Sequence, residues 1–444
     1  MSPAMVLRLG QAIGQYFKSR YPNPKIMIGK DTRRSGYMLE QALSAGICSV
    51  GVDTFFLGPL PTAGIAYLTR GMRACAGIVI SASHNPYEDN GIKIFNSDGF
   101  KLPDAEEDRL EAMLALDMES QLPTGEGIGR SRRVEDAIGQ YAVYLKEQFP
   151  KHLSMEGMRI VIDCANGAGY KVAPKVFSEL GAEIFVIGQE PSGYNINEDC
   201  GALYPNRLRE RVLLYKADIG IALDGDADRV VIVDNKGEIL DGDELLAMCG
   251  LFMHESGKLK GNTVVATVMS NLGLEIALQK AGIKLSRTNV GDRYVMEEML
   301  RGDYRLGGEQ SGHLIFRDSA TTGDGVLAAL HVIEIMLTKQ KTIHELKKVM
   351  HKVPQVIRSV RVQDKVPLER LPELSQLITN CEKRLNGGGR VLFRYSGTES
   401  KARVMIEGDS ESMIEEMADQ ISSLAVAEIL RQVQAPKVQV SSHS

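Results

Sequence analysis

Three aspartates at a spacing of two, Asp224, Asp226 and Asp228, follow directly on an apolar run in "IGIALDGDADRVVIVD". Carboxylates that leave the end of a strand at this spacing converge on one point, and their mutual repulsion is tolerable only around a cation. Ligation by oxygen alone selects Mg²⁺, Mn²⁺ or Ca²⁺. A calcium EF-hand shares the D-x-D-x-D opening, but it requires Gly at its sixth position and Glu at its twelfth, where this chain has Arg229 and Asn235. The competing reading, an acidic surface turn, has no need of the apolar "VVIVD" beyond it.

A second stretch, "GIVISASHNPYEDNGIKIF" at 77–95, ends an apolar strand on Ser81, Ala82, Ser83, His84, Asn85 and Pro86. An ordinary turn needs only the Asn-Pro. Ser83 can act as a nucleophile or, once phosphorylated, as a phosphoryl donor. A Ser-His hydrolase is a poor reading, because strand neighbours point to opposite faces and there is no G-x-S-x-G elbow. A phosphoserine, by contrast, supplies the anionic oxygen that an Asp224, Asp226, Asp228 metal site leaves open.

Two further loops fit the same chemistry. "GRVLFRYSGTESKARVMIEG" offers Arg394, Ser396, Gly397 and Thr398 after a strand and Arg403 on the next. Hydroxyls, the N–H groups of a Gly turn and two guanidiniums cradle a phosphate dianion; the rival is a turn capped by its own hydroxyls. In "YRLGGEQSGHLIF", residues 304–316, Glu309, Ser311 and His313 alternate and offer donors and acceptors suited to sugar hydroxyls. A hairpin that needs its glycines for geometry alone accounts for this stretch equally well. One reaction joins all four loops: phosphoryl exchange between Ser83 and a sugar phosphate.

The elements that must position these loops show in the hydrophobic pattern. "KIMIG", "GYMLEQALSAGICSVG" and "CAGIVISAS", then "MRIVIDCANGAG", "GYKVAPKVFSELG" and "AEIFVIG", alternate short apolar runs with segments of helical period. This is the rhythm of βαβ units around parallel sheets. It restarts several times, and 444 residues exceed what one core accommodates. Domains are expected at 1–149, 150–240, 241–352 and 353–444. The last is strand-rich and closes with a helix from Ser410 that carries Met413, Ile414, Met417, Ile421 and Leu424 on one face. The final "QAPKVQVSSHS" lacks periodicity and reads as a frayed tail.

Composition excludes other classes. The chain is 43% hydrophobic and 25% charged, with a formal net charge of −5, so nothing strongly basic points to nucleic acid. Six scattered cysteines without a CxxC pair fit reduced thiols rather than disulfides or zinc. No run reaches the ~18 apolar residues of a membrane span, and the opening lacks a cleavage site. A soluble cytoplasmic protein is expected.

"SASHNP", "DGDADR", "GGEQSGH" and "RYSGTE", in that order and at these intervals, resemble the four signature loops of the α-D-phosphohexomutase superfamily. Nearly the whole chain resembles its bacterial phosphoglucosamine mutase branch, through "IGKDTRRSGYML", "SASHNPYEDNGIKIFNSDGFKL", Ala227 in "DGDADR", "VGDRYV" and Gln310 in "GGEQSGH". The resemblance implies an α/β protein with three related mixed-sheet α/β domains and a C-terminal α+β domain of the TATA-box-binding-protein-like kind around a central cleft. It implies a phosphorylated Ser83 and one Mg²⁺ per subunit held by Ser83, Asp224, Asp226 and Asp228. Substrate contacts are implied for Lys30, Arg33, Arg229, Arg293, Glu309, Ser311 and His313, with Ser35 beside the first two. A phosphate grip is implied for Arg394, Ser396, Gly397, Thr398 and Arg403. His84, Lys93 and His313 are the acid/base candidates.

The implied reaction converts D-glucosamine 6-phosphate to α-D-glucosamine 1-phosphate and back through a 1,6-bisphosphate, on the route to UDP-N-acetylglucosamine. Glucosamine or glucose 1,6-bisphosphate would be the activator, with a kinase or self-phosphorylation loading Ser83. No nucleic-acid or membrane partner is implied, and the subunit would be a monomer or homodimer.

Two departures stand out. The family opens with a "GTDGIRG"-like turn, whereas this chain begins at "MSPAMVLRLGQAIG", and many members have Pro where this chain has Ser400. The first leaves a catalytically impaired sugar-phosphate-binding protein open as an alternative. A phosphoglucomutase or phosphomannomutase is the nearer one, and a magnesium-dependent phosphatase the remoter.

Overall fold

The computed structural model describes residues 1–116, 122–396 and 400–434. Its first segment runs α1 (Pro3–Lys18), β1 (Lys25–Lys30), α2 (Arg34–Ser49), β2 (Asp53–Pro59), α3 (Thr62–Gly71), β3 (Ala76–Ile80), β4 (Ile92–Asn96), α4 (Asp104–Met113), β5 (Ser131–Arg133) and α5 (Ala137–Glu147). The sheet order is β4-β3-β1-β2-β5. Ser2 caps α1 and Pro3 opens it, where a missing N–H costs nothing. A core of Ile13, Ile26, Ile28, Leu43, Ile47 and Ile78 closes between sheet and helices.

The second segment adds β6 (Arg159–Asp163), α6 (Val172–Glu179), β7 (Glu183–Ile187), α7 (Asn206–Tyr215), β8 (Ile219–Leu223), β9 (Val230–Asp234) and β10 (Ile239–Leu240), in sheet order β10-β9-β8-β6-β7. The third adds α8 (Gly242–Glu255), β11 (Thr263–Thr267), α9 (Leu272–Lys280), β12 (Lys284–Thr288), α10 (Asp292–Arg301), β13 (Leu306–Gly308), β14 (Leu314–Phe316), α11 (Gly325–Lys339) and α12 (Ile343–Leu346), with order β12-β11-β13-β14. Asp241 and Glu244 form a capping box that starts α8. The described chain divides into two compact units, and these three segments, apart from Ser270–Ala277 with the start of α9, belong to the first, Met1–Met269 with Leu278–Val349.

The second unit, Ser270–Ala277 with Met350–Ser444, holds β15 (Gln355–Arg361), α13 (Pro372–Leu385), β16 (Arg390–Tyr395), β17 (Lys401–Glu407) and α14 (Glu411–Gln434). Its sheet is wholly antiparallel, β15-β17-β16, and the face of α14 foreseen from Met413 to Leu424 packs on its core. Segment 270–277 is tied into this unit: Asn271 Nδ2 donates to Val353 O at 2.9 Å and Leu272 N to Glu407 Oε1 at 3.1 Å. The expected tail after Gln434 lies outside the described residues.

The βαβ rhythm alone reads as parallel sheets, whereas the chain forms the mixed sheets that the resemblance implied. β1, β2, β3 and β5, then β6, β7 and β8, then β11, β12 and β13 do pair in parallel. Each set then turns back on itself, as β3–β4, β8–β9 and β13–β14 are antiparallel. Fully buried runs such as "IGIAL" and "VVIVD" read alike in either direction, so period alone cannot show the reversal. "SASHNP", "DGDADR" and "GGEQSGH" are the chain at these three reversals, and "RYSGTE" begins at the end of β16, its last three residues lying outside the described residues.

Candidate functional site

Ser83 leaves β3 with a φ of +50°, a left-handed conformation that costs a non-glycine residue about 1 kcal/mol or more. The surroundings hold it there. Ser81 Oγ donates to Asp31 Oδ2 at 2.5 Å and accepts from Ser83 N at 2.9 Å. Asn197 Nδ2, from the second segment, donates to Ser83 O at 2.9 Å and Asn85 O at 3.0 Å. The result is a Ser83 Oγ that donates to Asp224 Oδ2 at 2.6 Å while the residue is only 8% exposed.

Asp224, Asp226 and Asp228 are buried, and one carboxylate oxygen from each lies within 4.8 Å of the others. At that separation each pair of charges repels by roughly 3 kcal/mol at an effective dielectric of about 20. Part of this is offset by Lys93, whose Nζ donates to Asp226 Oδ2 at 2.7 Å and to Asp228 Oδ2 at 3.2 Å. Thr62 Oγ1 gives Asp226 Oδ2 a further bond at 2.6 Å, and Arg229 N reaches Asp224 Oδ1 at 3.1 Å. Oδ1 of Asp226 and Oδ1 of Asp228 are buried without a hydrogen-bond partner. Two bare anionic oxygens beside a third carboxylate and a serine hydroxyl fit a hard divalent cation.

The electrostatics agree. Burial, with Asp228 and Asp226 beside it, pushes Asp224 well above the usual carboxylate range. Burial would do the same to Asp228, but Lys93, His313 and Arg229 together outweigh it and hold that carboxyl well below. Lys93 in turn is raised, because Asp226 and Asp228 outweigh its own desolvation, so it stays charged.

The two histidines are set by their neighbours. Arg229 Nη1 lies 2.7 Å from His84 Nδ1, and since guanidinium only donates, the neutral ring carries its proton on Nε2. Burial and Arg229 lower the pKa of His84. His313 is buried and accepts from Gly323 N at Nε2, 3.0 Å, which puts its proton on Nδ1, 3.6 Å from Asp228 Oδ1.

The expected substrate residues divide. Ser311 is exposed, and half-buried Glu309 accepts from Gly291 N at 3.1 Å, which joins "VGDRYV" to the third loop. Three basic residues are paired within the protein. Lys30, 3% exposed, is paired with buried Glu40 and lies over the Tyr37 ring. Arg33, 1% exposed, pairs with Asp31 and donates from Nη2 to Asn85 O at 2.6 Å, so it clamps the serine loop from behind. Arg293 is engaged by Asp104 and by Glu297, with Nε 2.9 Å from Glu297 Oε1. Ser35 Oγ donates to Asn90 Oδ1 at 2.6 Å, within the same loop system.

In the second unit Arg394 and Arg403 stand opposite each other across β16 and β17. Burial and Arg403 lower the pKa of Arg394, as expected for two like charges that an anion would reconcile. Ser396 is buried and its N–H closes the hairpin on Lys401 O at 2.9 Å, while Gly397 and Thr398 lie outside the described residues.

Sequence reasoning passed over Asp31, Thr62 and Asn197, which carry no periodic or spacing signal. It also passed over Gly323, Asp324 and Gly325, although Gly-Asp-Gly before an apolar helix is a readable N-cap.

Family models place the chain. Those for phosphoglucomutase/phosphomannomutase alpha/beta/alpha domains I, II and III match residues 1–120, 139–237 and 241–353, and that for the C-terminal domain matches 337–424. A phosphoglucomutase/phosphomannomutase family protein from Burkholderia thailandensis shares the fold at a TM-score of 0.80 with 20% identity, over 96% of this chain and 94% of that one. The chain is 53% identical to phosphoglucosamine mutase of Citrifermentans bemidjiense over 97% of its length and 95% of the relative's. It is 54% identical to that of Geobacter sp. strain M21 over 96% and 94%. The chain belongs to the phosphoglucomutase/phosphomannomutase family. Within it the branch is that of the phosphoglucosamine mutases, which are isomerases.

Proposed function

We propose that the chain interconverts D-glucosamine 6-phosphate and α-D-glucosamine 1-phosphate, with Ser83 as the residue that gives and takes the phosphoryl group. The observation that carries this reading is the 2.6 Å bond from Ser83 Oγ to Asp224, inside a cluster of three buried carboxylates with two bare oxygens. Asp224, Asp226 and Asp228 would hold Mg²⁺ together with the phosphate on Ser83. Bound there, the ion would neutralise the carboxylates and the charge spread over the transferring group.

In the forward direction the 1-hydroxyl of the 6-phosphate attacks phosphoserine. The new O–P bond forms as the Oγ–P bond breaks, and the hydroxyl proton ends on Ser83 Oγ. The bisphosphate turns over, Ser83 Oγ attacks the 6-phosphate, the P–O6 bond breaks and the serine proton ends on O6, so the 1-phosphate leaves and phosphoserine is restored. His84 Nδ1 and His313 Nε2 are both occupied as acceptors and Lys93 is charged, so none of the three offers a free basic lone pair. This suits a loose transition state in which the hydroxyl proton departs late. Lys93 is then the donor that meets charge growing on the serine oxygen, and Ser311 and Glu309 present polar groups to the sugar. Arg394, Ser396, Gly397, Thr398 and Arg403 form the grip for the phosphate that is not reacting. The expected domain boundaries near 149, 240 and 352, a bisphosphate activator and a reducing, cytoplasmic setting for six unpaired thiols belong to the same reading.

A ³¹P NMR time course of the full chain with Mg²⁺, catalytic glucosamine 1,6-bisphosphate and glucosamine 6-phosphate, beside glucose and mannose 6-phosphates, tests it. A 1-phosphate resonance that grows fastest from the amino sugar and vanishes in Ser83→Ala is the expected result. Equal turnover by Ser83→Ala, or release of inorganic phosphate alone, overturns it.

A further inference from the structure

Asp324 is 1% exposed and lies at a junction of all three α/β segments. Its Oδ1 caps α11, accepting from Val326 N at 3.1 Å and Leu327 N at 3.0 Å. Its Oδ2 accepts from the hydroxyl of Tyr141, a wholly buried side chain on α5. Its neighbours face the metal loop on either side. Gly325 N donates to Ala227 O at 3.0 Å, and a Cβ on Gly325 would lie 2.5 Å from Arg229 O, so the helix start rests directly on the Asp226–Asp228 turn. Gly323 N fixes His313, whose other nitrogen faces Asp228.

A charged carboxyl here is not the most stable choice. Burial pushes Asp324 up to about 6 despite four hydrogen-bonding and charged neighbours: Tyr141, Leu327, Val326 and His331. A neutral cap such as Asn would serve the helix as well at lower desolvation cost. The cluster is also braced from the far side, since Tyr144 stacks on Tyr67 with ring centroids 4.0 Å apart and donates to Ser319 O.

We propose that Tyr141 and Asp324 are positioning residues for the metal loop: the Tyr141–Asp324 bond sets the start of α11, and Gly323 and Gly325 pass that position to His313, Ala227 and Asp228. This rests on the reading of the aspartate cluster as a divalent-cation site. It assigns to the third segment, besides its sugar loop, a buried strut that aligns ligands belonging to the second.

The test is Mn²⁺ titration calorimetry on the full dephosphorylated chain, with hydrogen exchange of peptides covering 224–229 and 323–327. Tyr141→Phe, which deletes one hydroxyl, should weaken Mn²⁺ about tenfold, the scale of an outer ligand-orienting contact. It should also raise exchange in both peptides. Asp324→Asn should keep the cap and lose less than Asp324→Ala. Asp226→Asn controls for the site itself. A Tyr141→Phe chain of lower melting temperature but parental Mn²⁺ affinity and unchanged exchange at 224–229 would overturn the proposal. No Mn²⁺ binding by the parent would overturn the metal reading, and exchange at 224–229 would still decide whether the strut aligns that loop.

Discussion

Lys93 occupies the place where a residue's charge matters most. Its ammonium neutralises the two carboxylates whose other oxygens are bare, so it competes with a cation for charge but not for those oxygens. Lys93→Gln should therefore leave Mn²⁺ affinity equal or tighter by calorimetry. Turnover should fall about 10²-fold or more, as for loss of a positioned proton donor. Weaker metal binding would show that Lys93 builds the site instead of balancing it. Burial changes the reading of residues that look alike in the sequence. Arg33 and Lys30 lie inside the first segment, and Arg229, over His84, remains the basic residue of the "DGDADR" loop that reaches the serine loop.

At the scale of elements, the site is made by strands that reverse. Three parallel strands deliver loops to one place because each is followed by an antiparallel return, which lets the turn between them meet the others. The approach between two such tips is close: a Cβ on Gly225 would lie 2.4 Å from Ser83 O and 2.8 Å from Asn197 Nδ2. Gly225→Ala should push the serine loop off the aspartates. We expect about 1–3 kcal/mol of destabilisation, the usual cost of inserting a methyl into a packed site. Phosphorylation of Ser83 by the bisphosphate, read by intact mass, should be lost disproportionately. Retained phosphorylation with the same drop in stability would mean that the loop tolerates displacement.

At the scale of the molecule, the first unit carries the serine, the aspartates and the "GGEQSGH" loop, and its stability is linked to pH through Asp324. Its folded pKa of about 6 lies above the ordinary 3.8, so the folded state holds this proton more tightly than the unfolded state. That contribution is fully present below about pH 4 and is lost as pH rises through about 6, amounting to about 3 kcal/mol. Asp324→Asn removes it. Compared with the parent, the variant should show a flatter dependence of unfolding on pH between about 4 and 6 and no loss of melting temperature at pH 8. Parallel pH curves for the two chains would place the Asp324 pKa near its ordinary value. A buried carboxylate kept at that cost is what a ligand-orienting role predicts.

How much of this was legible before folding follows from how far each partner lies along the chain. Asp224, Asp226 and Asp228 form their cluster from five consecutive residues, so spacing alone showed it, and β8 ahead of them was plain from its apolar run. Local pattern likewise found α2, α6 and the apolar face of α14, because a helix writes its buried face every three to four residues. The bond that joins the serine to the aspartates spans 141 residues, from Ser83 to Asp224, and the Tyr141–Asp324 bond spans 183. Nothing local encodes either one. The proton positions on His84 and His313, the inward turn of Lys30 and Arg33, and the antiparallel returns were decided only when distant segments packed. A polar side chain taken out of water must find its partner wherever the fold brings one.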